Sequence, residues 1–133
     1  MPLSAEDRLE IMDLVARYNH AHDFEDWDAL VATFAPDGEL VTSRGTNPRG
    51  HEQLRRFYLE SGEPIPNVRH WTGNITLEGD GDRARMRNYM MLFKAVDPPQ
   101  FLLTARYEDD LRRVEGRWRF QRRAIAVEQQ RAG

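Results

Sequence analysis

The sequence predicts an α+β fold in which N-terminal helices pack against one curved antiparallel sheet. Two observations carry this. Apolar residues recur at helical spacing through the first half of the chain, and strand-like alternation fills the rest from Val68 onward. Pro and Gly clusters fall at the boundaries between these blocks. Helices followed by a run of strands is the α+β order. With 133 residues, 40% of them hydrophobic, one domain spanning 1–133 around one core is expected.

Each element has its own signal. Ser4 followed by Glu6 and Asp7 reads as a helix start, with a hydroxyl to cap and acids at the positive end. Ile11, Leu14, Val15, Tyr18 and His22 then form an inward stripe that ends at Asp23. Asp26 caps a second short helix whose apolar face is Trp27, Leu30, Val31 and Phe34, stopped by Ala35 to Gly38. Glu39 to Thr42 reads as a short strand and Ser43 to Pro48 as a loop. A third helix runs from about Gly50 to Glu60, anchored by Leu54, Phe57 and Tyr58, and Gly62 to Pro66 stops it. Four strands follow as a meander: Val68–Leu77, Arg83–Val96, Phe101–Arg113 and Arg117–Val127. Gly79 to Asp82, Asp97-Pro98-Pro99 and Glu115-Gly116 make the turns.

Composition narrows the function classes. The net charge is −3 and the arginines are interleaved with acids, so no nucleic-acid partner is expected. There is no cysteine, which removes disulfides, thiolate ligands and a cysteine nucleophile, and suits a cytoplasmic location. No apolar run approaches the roughly 20 residues of a membrane span, and no signal-peptide pattern opens the chain. No His, Asp or Glu cluster has zinc-like spacing; His20 and His22, two apart on a helix, face different ways.

Two segments carry chemistry. Tyr18 to Asp23 delivers an acid at a helix end, and Arg69 to Thr76 delivers an imidazole, His70, on a strand. A carboxylate that holds a histidine is a minimal device for moving protons, because imidazole titrates near neutrality. Strict alternation puts His70, Thr72, Asn74 and Thr76 on one face, so Asn74 joins His70 as a candidate for a substrate oxygen, with Asn88 on the next strand. His22 belongs to the inner stripe and is a candidate pocket residue. Trp71, beside His70, reads as sheet packing or a substrate contact. Plainer readings stand beside these: Asp23 as an Asx-turn residue, Tyr18 as core.

The pieces Tyr18–Asp23, Asp26-Trp27-Asp28-Ala29-Leu30, Phe34–Gly38, Arg69-His70-Trp71 with Gly73-Asn74, Arg106-Tyr107-Glu108-Asp109, and Glu115 to Phe120 with Arg123 resemble, in order, the SnoaL-like proteins of the nuclear-transport-factor-2-like superfamily. The resemblance implies a cone-shaped α+β barrel with a pocket at its open end. It is nearest to scytalone dehydratase, hexachlorocyclohexane dehydrochlorinase and bile-acid dehydratase, and implies Asp23 and His70 as a catalytic pair assisted by Tyr18. Arg123 matches a frequent family arginine that would bind an anionic oxygen. The second histidine of scytalone dehydratase would fall near Phe93 to Ala95, where this chain has Lys94 and no histidine. The expected activity is that of a lyase or isomerase, dehydratase- or cyclase-like, on a small apolar molecule, with no cofactor or metal. The alternative is a non-catalytic ligand-binding or assembly module, like a ring-hydroxylating dioxygenase small subunit. A homodimer or homotrimer is expected, packing through an outer sheet face of Tyr89, Met91, Phe93 and Tyr107.

Overall fold

In the computed structural model, which describes residues 1–43, 45–61 and 65–130, the order is α1 (Ala5–Asp23), α2 (Trp27–Val31), β1 (Phe34–Thr42), α3 (Gly50–Glu60), β2 (Val68–Asp80), β3 (Arg83–Lys94), β4 (Gln100–Val114) and β5 (Arg117–Gln130). The loop expected from Ser43 to Pro48 and the stop expected from Gly62 lie partly outside the described residues.

The first helix starts where its sequence says. Ser4 Oγ accepts the Asp7 N–H while the Asp7 carboxylate accepts the Ser4 N–H, each at 3.0 Å, so two otherwise unpaired donors are satisfied reciprocally. Asp7 also accepts from Arg113 at 2.8 Å and from the Trp118 indole N–H at 3.1 Å, which ties the helix start to the last hairpin. Those bonds, led by the one from Trp118, hold the Asp7 carboxyl well below the usual carboxylate range. At the other end Glu25 takes φ 58°, a left-handed turn that closes the helix without the usual glycine.

The sheet order is β1-β5-β4-β3-β2. Strands β2 to β5 form the expected antiparallel meander. The β4–β5 hairpin turns on Glu115 and Gly116 at φ 51° and 80°, the two-residue turn whose twist matches the strands. Two expectations are corrected at the other edge. Strand β1 runs parallel to β5, so the sheet is mixed rather than wholly antiparallel. Phe34 opens that strand rather than ending α2, because its N-terminal side pairs with Phe120, and the Pro36 to Gly38 stretch becomes a register irregularity before Glu39 rather than a break.

Helix α1 bonds to both flanks of the meander. Its Asn19 reaches Thr72 on β2 at 2.9 Å, and its Glu10 accepts the Trp118 N–H on β5 at 2.6 Å. Strands β2 and β5 are three places apart, roughly 14 Å in a flat sheet, and α1 lies on the concave side of the curved sheet with a bond to each. Ile11, Leu30, Phe34, Leu54, Met86, Trp118 and Phe120 fill the concave side, each fully buried.

Strand β2 breaks its own alternation. A bulge between Gly73 and Thr76, with Asn74 at φ 53°, shifts the phase by one residue. Before it His70 and Thr72 face inward; after it Ile75 and Leu77 pack on the core. The outer face carries a row of alternating charge across all five strands, Glu78, Arg85, Asp110, Arg122 and Glu39, register partners in turn. Beside that row Trp71, Tyr89, Met91 and Phe101 stand exposed. Tyr107, expected on this outer face, points inward and is buried, in phase with its buried cross-strand partner Asn88 and opposite to its exposed chain neighbour Arg106.

Two glycines of β2 test this packing. A Cβ on Gly79 would overlap the Arg83 carbonyl oxygen and stand 2.9 Å from Ala84 Cα, whereas one on Gly73 meets nothing within 4 Å. Gly79→Ala should therefore cost about 1–3 kcal/mol in urea unfolding, and Gly73→Ala should be close to neutral.

Candidate active site

The last turn of α1 and the edge of the sheet make the site. Strand β2 is the outermost strand beside β3, so the side of its backbone turned away from β3 has no strand partner. Asp23 supplies one. Its carboxylate accepts the His70 backbone N–H at 3.0 and 3.3 Å and the His70 ring Nδ1–H at 2.6 Å. Both side chains are nearly sealed, at 6% and 8% exposure. A carboxylate at a helix C-terminus sits at the unfavourable end of the dipole; the three donor–acceptor distances to His70 compensate. Because the carboxylate only accepts, Nδ1 carries a proton, and in the neutral ring Nε2 carries the lone pair.

His70 and Asp23 line a cleft of about 380 Å³. Its walls are Trp27, Tyr58, Leu59, Ile65, Val68 and Leu92, with His22 between the base and the phenol. The His22 and His70 rings stack at 4.2 Å, 27° from parallel. The Tyr58 hydroxyl meets the Tyr18 hydroxyl at 2.6 Å. Burial raises both phenols above the usual range, so both stay protonated at neutral pH. Burial, then the charges of His70 and Arg123, lowers His22 to about 3.

Behind this floor lies an ion pair. Arg123 donates Nε to Asp109 Oδ1 at 3.0 Å, and Asn88 donates to Asp109 Oδ2 at 3.1 Å. The guanidinium carbon stands 3.8 Å from the Tyr107 ring centre, 4.3 Å from Tyr18 and 4.4 Å from Phe120. Three aromatic faces and one carboxylate compensate its desolvation. Burial raises the Asp109 carboxyl against the pull of Arg123 and Asn88.

The geometry sorts the expected site residues. It brings Asp23, His70 and His22 together at the cleft. It places Tyr18 one layer deeper, fully buried behind Tyr58, which takes over the phenol position at the wall. Asn88 and Arg123 lie behind the floor, committed to Asp109, and do not line the cleft. Asn74 and Trp71 point to solvent: the bulge reverses Asn74, and Trp71, next to the inward His70, faces outward by strand alternation and is 66% exposed. Two residues escaped the sequence reading, Tyr58 and Asp109. Tyr58 looked like a core anchor of α3. Asp109 sits two residues before Leu111 on the same buried face of β4, and a carboxylate in an inward strand position was the available signal.

A larger groove, about 470 Å³, opens on the outer sheet face among Glu78, Arg85, Glu108, Asp110 and Arg122. Arg85 pairs with Asp110 at 3.3 Å in it and Arg122 with Glu39 at 3.8 Å beside it, so this is a charged open face, whereas the smaller cleft sets the dyad among aromatic and aliphatic side chains. Among the described residues no group of three or more His, Asp or Glu side chains is arranged to hold a metal ion, and no helix is long and apolar enough to cross a membrane.

The SnoaL-like domain model matches residues 3–124, and the chain belongs to that family. An uncharacterised protein of Mycobacterium tuberculosis is 31% identical over 122 residues, covering 88% of this chain and 82% of that one. A cystatin-like-fold protein of unknown function from Nostoc punctiforme is 32% identical, with a TM-score of 0.89 over 96% of each chain. A putative aromatic ring hydroxylase from Novosphingobium aromaticivorans is 29% identical, with a TM-score of 0.82 over 96% of this chain and 92% of that one.

Two predictions follow from the burial here. Unfolding releases His22 from about 3 to its ordinary 6.5, so the unfolded chain binds more protons between those values and stability falls as pH drops through that window. Urea unfolding at pH 7 and pH 5 should show a smaller acid loss for His22→Phe than for the wild type. Arg123→Met should cost about 3–5 kcal/mol by stranding Asp109, and Arg123→Met with Asp109→Leu should recover most of it.

Proposed function

We propose that the protein is a cofactor-independent lyase or isomerase, dehydratase- or cyclase-like, that acts on a small apolar molecule by proton abstraction. The observation that carries this is the 2.6 Å bond from His70 Nδ1 to Asp23, sealed at the floor of a cleft that His70 itself lines. Asp23 fixes the tautomer and stabilises the imidazolium once Nε2 takes a proton from carbon. Tyr58, protonated and backed by Tyr18, donates a hydrogen bond to a leaving or carbonyl oxygen. Trp27 and Leu92 give the cleft apolar walls, and the dyad side chains beside them are nearly sealed from solvent, which strengthens their polar contacts. Membership of a family whose members include cyclases and dehydratases supports the reading.

A second reading is a non-catalytic ligand-binding or assembly module. The exposed patch of Trp71, Tyr89, Met91 and Phe101, which a homodimer or homotrimer would cover, favours it.

The test is solvent-deuterium incorporation at the acidic carbon of small aryl ketones such as 1-indanone, followed by NMR. Asp23→Asn and His70→Ala should each slow it by about 10²–10⁴-fold. His70→Gln, which keeps an N–H for Asp23, controls for folding by its thermal melt. Unchanged exchange in both folded variants, with ligand binding and assembly intact, would favour the second reading.

A further inference from the structure

Among the described cleft residues, His22 has a buried ring nitrogen without a partner. Its ring is held edge-on by Tyr18 at 5.9 Å, Trp27 at 5.6 Å and Tyr58 at 5.4 Å, and flat against His70 at 4.2 Å. Four aromatic neighbours on α1, α2, α3 and β2 therefore fix its orientation. Its Nδ1 is sealed from solvent with no partner among the described residues, while the ring lines the cleft. A buried N–H without an acceptor is rarer and more costly than an unmet lone pair. The sealed Nδ1 is thus the bare nitrogen, and the proton sits on Nε2, toward the cleft.

We propose that His22 is a neutral N–H donor to a substrate oxygen, so that the cleft takes small molecules whose acidic C–H lies next to a carbonyl. This rests on the proton-transfer reading of His70. The titratable and charged groups around the ring are His70 from β2, Tyr18 on its own helix, Tyr58 from α3 and Arg123 from β5, and the exposed Glu25 lines the same cleft. Asp23, its chain neighbour, is engaged with His70. Among the described residues no carboxylate bonds the His22 ring, and its burial among aromatic rings keeps the imidazole uncharged at working pH.

The step balances. The substrate C–H bond breaks and its proton bonds to His70 Nε2. The electron pair forms a C=C bond and the carbonyl π pair moves onto oxygen. His22 Nε2–H hydrogen-bonds that oxygen without surrendering its proton, as a neutral imidazole does when it polarises a carbonyl. Collapse of the enolate either expels a group from the β carbon or takes the proton back from His70 at another carbon. His22 would then be a catalytic residue beside His70, both supplied or held by the same turn of α1.

Histidine-selective ¹⁵N NMR of the free protein tests the tautomer. His22 should stay neutral with the proton on Nε2 from pH 5 to 8; a proton on Nδ1, or a titration in that range, would overturn the assignment. The oxyanion probe is 4-nitrophenolate, followed by its absorbance. His22→Phe should bind it on the order of 10-fold or more weaker and exchange 1-indanone about 10²-fold slower, while His22→Gln, which keeps a side-chain N–H, should stay within a few-fold of the wild type. Equal binding by His22→Phe, or no binding by the wild type, counts against the proposal. If 1-indanone exchange depends on His70 and not on His22, this inference alone fails. If exchange is independent of His70 while the tautomer and phenolate results hold, the proton-transfer reading fails and the oxyanion site stands.

Discussion

The structure depends on one carboxylate at a junction. Asp23 ends α1 and accepts both the backbone N–H and the ring N–H of His70 on the sheet's edge strand. The backbone bond completes an edge that no strand pairs; the ring bond orients the imidazole. Fold closure and the orientation of the base are therefore the same interaction. A group that holds a helix terminus to a sheet edge is held in turn by both, so the base is positioned by regular elements rather than by a loop, which favours precision.

The remainder of α1 supports that junction. Its capping box and the Asp7 bonds to Arg113 and Trp118 anchor the far end. Asn19 on Thr72 fixes its height along β2 one turn before Asp23. Between these ties the Arg123–Asp109 pair sits under Tyr18, with the aromatic faces of Tyr107 and Phe120 around it. That pair is a costly way to fill a core. In this fold it lies fully buried against Tyr18, whose hydroxyl bonds that of Tyr58. Polar side chains thus run from the buried pair to the cleft wall without reaching solvent.

The bulge in β2 separates two jobs within one strand. Before Gly73 the inward residues are polar and face the helix end and the cleft; after it they are Ile75 and Leu77 and join the core. Without the phase shift, Asn74 and Thr76 would point into the apolar core and Ile75 and Leu77 into water. The exposed Asn74, held at φ 53°, is the residue type that tolerates that conformation best after glycine.

By itself the sequence determined the local elements and the two partners of the dyad. The Ser4 cap, the inward stripe ending at His22, the Glu115-Gly116 turn and the four-strand meander all follow from short-range spacing and turn chemistry. Asp23 and His70 were legible because one ends a helix and the other lies on an alternating strand, and because their neighbours resemble a known family. Tertiary structure alone decided what lies near them. Parallel pairing of β1 with β5, a contact between strands more than 80 residues apart, leaves no trace in local pattern. The bulge that turned Asn74 outward is a single-residue phase change that strict alternation cannot register. Tyr18 and Tyr58 exchanged expected roles because depth in a cone depends on which helix lies nearer the mouth, and helix periodicity reports only which side of a helix is apolar. Arg123 and Asn88 were read as facing a substrate; they face Asp109, since a buried charge takes the partner that packing brings to it.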